Sequence, residues 1–144
     1  MGNPNAEIAR RWFEEVWNQR RSETIYELLT ADSICRSEAG PLSGPDDFLN
    51  YVYNPLISAL PDLTVKIEGV IAEGEHVVVR WLTTGTHTGD GMGTPPTGSQ
   101  VSFRGMTWIR FSNGKFAEGW DSYNQEGLLD ALRGGSDRES VKRG

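Results

Sequence analysis

The chain has 144 residues, with 14 basic against 20 acidic side chains and a net charge of −6. That length suits one domain around one core, and the acidic balance argues against a nucleic-acid partner, which would need clustered Lys and Arg. A single cysteine, Cys35, excludes an internal disulfide, and no apolar run approaches the roughly 20 residues that span a bilayer. The opening MGNPNAEIARRW also lacks the apolar segment of a signal peptide, so a cytoplasmic protein with no membrane partner is expected.

Apolar Ile8, Ala9, Trp12, Phe13 and Val16 recur at spacings of three and four and predict an amphipathic helix over 5–18, widened by Trp17 and capped by Asn3 or Asn5. A second helix is expected over 22–29. Residues 33–37 read as a short edge strand and 41–45 as a turn. A third helix should run from Pro45 to about Ala59, with Pro55 breaking it near Tyr53 and Asn54.

Beyond Pro61-Asp62 the period falls to two. Leu63, Val65 and Ile67 alternate with polar residues, and the phase slips at Gly69, which suggests a bulge. The strand over 77–86 is apolar almost throughout and reads as buried on both faces. A Gly-, Pro- and Thr-rich loop follows over 85–98. A strand over 99–111, an Asn113-Gly114 turn, a returning strand over 115–123 and a helix over 125–132 complete a single domain of residues 1–132. Residues 133–144 offer nothing to bury and read as a disordered tail. Strands grouped after helices indicate an α+β architecture, a cone-shaped curved antiparallel sheet wrapped around the N-terminal helices. Such a cone offers a dry interior to a hydrophobic small molecule.

Two charged residues stand out. Arg80 interrupts Val77-Val78-Val79-Arg80-Trp81-Leu82; it either reaches solvent from one face of the strand or turns inward to pair with a carboxylate, for which Asp121 is the candidate. Asp121 lies among Phe116, Trp120, Tyr123 and Leu128, and is either a surface residue at a strand end or a poorly solvated base. His76 sits in a charged turn. His87 sits at the lip of the loop, where a structural or a rim role is open. No metal spacing, nucleophile elbow or phosphate-binding loop is present, so a cofactor-free protein without a metal is expected. Gly105 and Thr107 share one face of the long strand with Phe103 and Ile109, while Arg104, Met106 and Trp108 take the other.

The ordered motifs Phe13…Val16-Trp17-Asn18, Leu60-Pro61-Asp62-Leu63, Val79-Arg80-Trp81, Gly85-Thr86-His87-Thr88-Gly89, Pro96-Thr97-Gly98, Glu118-Gly119-Trp120-Asp121 and Gly127-Leu128-Leu129 resemble the SnoaL-like polyketide cyclases over about residues 5–132. The resemblance implies the cone shared with nuclear transport factor, ketosteroid isomerase and limonene epoxide hydrolase, and a homodimer across the outer sheet face. It implies that Asp121 is the general acid/base. Thr107 stands where those cyclases carry a strand histidine, and Gly105 where a polar partner would sit. Compared with the epoxide hydrolases, Arg80 matches the arginine and Tyr53-Asn54 only loosely match the water holders, while Leu82 replaces the second aspartate. The expected site therefore comprises Asp121 and Arg80 as catalytic residues, with Trp17, Tyr53, Leu82, His87, Gly105, Thr107 and Trp120 contacting substrate. A cyclase- or isomerase-type enzyme acting on a hydrophobic carbonyl compound is expected; a non-catalytic binding protein of the same fold is the alternative.

Overall fold

Because residues two apart on a strand share a face, the period-two half of the chain settles what surrounds the interior. The computed structural model describes residues 2–37 and 40–133. Strands β1 (Leu29–Ser37), β2 (Gly40–Ser43), β3 (Thr64–Glu73), β4 (His76–Thr86), β5 (Gln100–Ser112) and β6 (Lys115–Tyr123) form one sheet in the order β2-β1-β6-β5-β4-β3. β1 and β6 run parallel, and the other neighbours run antiparallel. The sheet is curved and does not close, and the helices fill its concave side, as the α+β reading required.

Helix α1 (Pro4–Trp12) begins at Asn3, whose side chain accepts from the Asn5 amide at 2.9 Å, with Pro4 in the first turn where no N–H is needed. It continues as a wider π-helical stretch, Phe13–Asn18, that buries Phe13, Val16 and Trp17 together. Asn18 then acts as a surrogate strand: its amide donates to the Val65 carbonyl at 2.9 Å and accepts from the Val65 N–H at 2.7 Å, which covers part of the open edge of β3. Helix α2 (Glu23–Leu28) is tied back by Arg21, which meets Glu15 and Glu27. After α3 (Gly44–Phe48) the backbone widens into a second π-helical turn, Leu49–Tyr53. Pro55 then falls in the first turn of α4 (Asn54–Ala59), so the expected break takes the form of a change in helical pitch. Helix α5 (Gln125–Leu132) closes the described chain, and the tail expected after it lies outside the described residues.

Three local expectations change. The strand read over 33–37 starts at Leu29 and lies inside the sheet, paired with β6 on one side and β2 on the other. The segment read as a turn around Pro41 is β2 itself, where an edge position tolerates a residue with no N–H. β4 is buried on one face only: Val77, Val79, Trp81 and Thr83 point inward, while Val78, Arg80, Leu82 and Thr84 line the outside. The slip at Gly69 is present, since Ile67 faces Trp81 and Gly69 faces Arg80. The β5–β6 turn has Asn113 and Gly114 at φ of 52° and 76°, the left-handed pair that a tight two-residue hairpin demands.

The loop between β4 and β5 is held against α4. A Cβ on Gly89 would stand 1.6 Å from the Ser58 carbonyl oxygen, and one on Gly91 would stand 2.4 Å from the Pro55 carbonyl oxygen. Gly89 donates its own N–H to the Ala59 carbonyl at 3.1 Å. Gly89→Ala should therefore lift the loop off α4 and lower stability by about 1–3 kcal/mol, whereas Gly93→Ala, with open space around it but a φ of 86°, should cost only the backbone strain of about 1 kcal/mol and keep the loop in place. Urea midpoints and backbone amide exchange at residue 89, which donates to the Ala59 carbonyl, and at Gly98, which donates to the His87 carbonyl, measure both effects.

Candidate functional site

Helices over the concave face leave a cavity of about 420 Å³, a size typical of small-molecule sites. Its walls are apolar and aromatic, with Trp12, Trp17, Phe48, Trp81, Phe103 and Ile109 prominent. Polar groups gather where β1, β5 and β6 meet: Asp121, Thr107, Cys35 and Tyr123 all face this space.

Asp121 points inward because β6 alternates Gly119, Asp121 and Tyr123 toward the cavity. Thr107 lies directly across the ladder and donates to Oδ1 of Asp121 at 2.6 Å. The indole Nε1 of Trp81 in turn donates to the Thr107 hydroxyl at 2.9 Å. An indole can only donate, so the Thr107 oxygen receives that bond with a lone pair and directs its single proton at the carboxylate. Oδ2 of Asp121 accepts the thiol of Cys35 at 3.6 Å. Gly105, on the same face of β5, makes this chain possible, since a Cβ there would come within 2.6 Å of the Trp81 ring and 2.7 Å of the Ser122 carbonyl oxygen.

These neutral donors do not offset burial. Loss of water raises the Asp121 pKa, the hydrogen bonds from Thr107 and Cys35 pull it down, and burial wins. The Cys35 thiol is pushed up by its own burial and then by the charge of Asp121, so it stays protonated as a donor.

The structure separates the expected site residues. Asp121, Thr107 and Trp17 line the cavity. Gly105 stands behind Trp81 and shapes the wall without forming it. Arg80 does not meet Asp121: it lies on the outer face, 59% exposed, with Glu68 3.8 Å away, because β4 turns Val79 and Trp81 inward on either side of it. Leu82 and Trp120 face outward by the same alternation, and Trp120 packs on Trp108 with ring centres 5.8 Å apart. Tyr53 is buried behind Trp17, at 5.3 Å between rings, and Tyr51 reaches the cavity instead. His87 is buried away from the cavity, where Nδ1 lies 3.1 Å from the Thr97 hydroxyl and holds the loop.

Cys35 and Tyr123 are site residues that the sequence reading passed over. Tyr123 carried a usable signal, since its spacing of two from Asp121 on one strand sets both on the same face. Cys35 carried none, because only the parallel β1–β6 pairing, with Cys35 opposite Gly119, brings it near. Among the described residues, no group of three His, Cys, Asp or Glu could hold a metal ion, and no helix is long and apolar enough to cross a membrane.

Residues 7–132 match the family described as SnoaL-like polyketide cyclase. The chain belongs to that family. Among solved structures, a protein assigned as a SnoaL-like polyketide cyclase from Jannaschia sp. CCS1 shares 24% identity at a TM-score of 0.82, over 90% of this chain and 92% of that one. AclR from Streptomyces galilaeus, assigned as a hydroxylase, shares 29% identity at a TM-score of 0.78, over 89% and 80%. IdmH from Streptomyces antibioticus, assigned as a polyketide cyclase, shares 22% identity at a TM-score of 0.78, over 90% and 99%. No curated protein matches this chain in sequence. In this SnoaL-like protein β6 turns Asp121 inward, where the Thr107 hydroxyl and the Cys35 thiol donate to it and the Trp81 indole stands behind Thr107.

Because the folded state raises the Asp121 pKa, it holds that proton more tightly than the unfolded chain does. Between the ordinary carboxylate pKa and the raised one, stability should fall as pH rises, since ionisation then occurs inside the cavity. Asp121→Asn should remove that slope and raise the urea midpoint more at pH 7 than at pH 4. Equilibrium unfolding at the two pH values checks the sign.

Proposed function

We propose that this SnoaL-like protein is a cofactor-free acid/base enzyme of cyclase or isomerase type, acting on a hydrophobic carbonyl compound. The observation that carries the reading is Asp121, a carboxyl group in a largely apolar cavity, with neutral donors on both oxygens and its pKa raised by burial. A carboxylate of raised pKa is a stronger base than one in water, and a proton α to a carbonyl is a fitting target. Thr107 and, through it, Trp81 fix the orientation of Oδ1. Arg80 has no part in this reading, because its side chain lies on the other side of the sheet. An epoxide hydrolase reading would need that inward arginine and a second aspartate, and Leu82 on the outer face supplies neither.

The bicyclic ketone 2-tetralone is a suitable probe, small enough for the cavity and acidic next to its carbonyl. In deuterated buffer near pH 7 the wild-type protein should accelerate exchange of its α-protons, and Asp121→Asn should lose about 10²- to 10⁴-fold of that acceleration. Proton NMR follows the signal loss. Undiminished exchange by Asp121→Asn sinks the assignment, and binding without any exchange by the wild-type protein leaves a carrier of hydrophobic metabolites.

A homodimer across the outer sheet face belongs to the same proposal. Ile71 is 75% exposed and Trp108 49%, with Met106 also exposed on that face, more apolar surface than a sheet turned to water usually shows. Trp108→Glu should shift sedimentation from a dimer to a monomer while leaving the inner face, and thus the cavity, intact.

A further inference from the structure

We propose that Tyr123 is a second catalytic residue, whose phenol donates a hydrogen bond to the substrate oxygen that becomes negative when Asp121 removes the α-proton. This proposal rests on the reading of Asp121 as the base. Tyr123 follows Asp121 by two residues on β6, and both side chains face the cavity. In the ladder to β5, Asp121 lies opposite Thr107, and Tyr123 lies opposite Gly105. The absent side chain at Gly105 admits the Trp81 ring, which packs on Tyr123 with centres 6.0 Å apart, and Phe103 flanks the same ring at 5.5 Å. Trp81 thus orients both groups: its N–H anchors Thr107 beside Asp121, and its ring braces Tyr123.

The donors gathered around Asp121 are already committed. The Trp81 indole points at Thr107, the Thr107 hydroxyl at Oδ1 of Asp121, and the Cys35 thiol at Oδ2. The Tyr123 hydroxyl makes no hydrogen bond to another described residue, although its ring is packed on two sides and it faces the cavity. A half-buried phenol without a partner is poorly satisfied until a ligand oxygen arrives. Burial, and then the nearby charge of Asp121, push its pKa up, so it remains a donor at neutral pH.

The step balances within the substrate and these two residues. The α C–H bond breaks and its proton passes to Asp121. The electron pair forms a C=C bond, and the carbonyl π pair moves onto oxygen, where the Tyr123 O–H holds the charge without losing its own proton. In a cyclase the enolate carbon then attacks a second carbonyl of the same molecule; in an isomerase the substrate is a β,γ-unsaturated ketone, and its dienolate takes the proton back from Asp121 at the γ carbon as the carbonyl re-forms. In the first case Asp121 returns its proton to the new alkoxide.

Tyr123→Phe removes one oxygen atom and keeps the ring, so the packing with Trp81 and Phe103 should survive; thermal unfolding verifies that. In the 2-tetralone exchange assay it should lower kcat about 10²- to 10³-fold with KM changed only a few-fold, as expected when an oxyanion donor is lost. Binding gives an independent readout. 2-Naphthol presents an oxygen on a flat bicyclic frame, whereas naphthalene has the same frame without it. Tryptophan fluorescence titration should show Tyr123→Phe binding 2-naphthol about tenfold more weakly and naphthalene within about twofold of wild type. Wild-type exchange rates or wild-type 2-naphthol affinity in Tyr123→Phe overturn the proposal. A wild-type protein that fails to exchange 2-tetralone, with Asp121→Asn equally inert, instead removes the base and takes this proposal with it.

Discussion

A carboxyl group is held out of water with no cation beside it among the described residues, and the interior is arranged to make that tolerable. Asp121 is bonded by a hydroxyl and a thiol, and the hydroxyl is itself oriented by an indole N–H. Each donor comes from a different strand, Cys35 from β1, Trp81 from β4 and Thr107 from β5. The sheet must therefore be complete before the site exists. Neutral hydrogen bonds soften the loss of hydration without cancelling it, which leaves the carboxyl basic and the fold poorer by that cost.

Glycine and aromatic residues supply the matching shape. Gly105 leaves a notch that Trp81 fills, and the Trp81 ring reaches Phe103 and Tyr123. On the helical side Trp12 bridges Phe48 and Phe116, at 5.1 and 4.8 Å between rings, so the cavity wall is continuous with the core. Rigid aromatic walls suit a flat substrate because they need little reorganisation on binding. Thr107 sits on β5 directly opposite Asp121. A threonine hydroxyl is a poor proton acceptor, and this one spends its single proton on the hydrogen bond that orients the carboxylate.

The outer face follows a different logic from the same strands. Arg80 and Arg104 both approach Glu68, at 3.8 and 3.2 Å, while Arg36 and Arg110 approach Glu118, at 2.5 and 3.5 Å. The arginines of these pairs are exposed while the glutamates are largely covered, and each pair individually contributes little. Four arginines around two glutamates surround Ile71, Met106, Trp108 and Trp120, which leaves an apolar patch bounded by charged groups of net positive sign.

Much of this was legible in the sequence because it depends on local periods and turns. The α1 stripe, the Asn113-Gly114 hairpin, the slip at Gly69 and the shared face of Gly105 and Thr107 all follow from residue spacing and backbone preference. The α+β architecture follows from the order of those elements, and the family from the separated sequence motifs that match it over residues 7–132. Spacing alone could not say which face of β4 was inside, because Val77, Val78, Val79, Trp81 and Leu82 are apolar on both. Burial of Val79 and Trp81 decided that, and sent Arg80 to solvent. Nor could it bring Cys35 to Asp121, since a parallel pairing between strands far apart in the chain leaves no local trace. Asp121 was marked as a candidate by its aromatic neighbours in sequence. Its actual partners, Thr107, Cys35 and Trp81, were chosen by the register and curvature of the folded sheet.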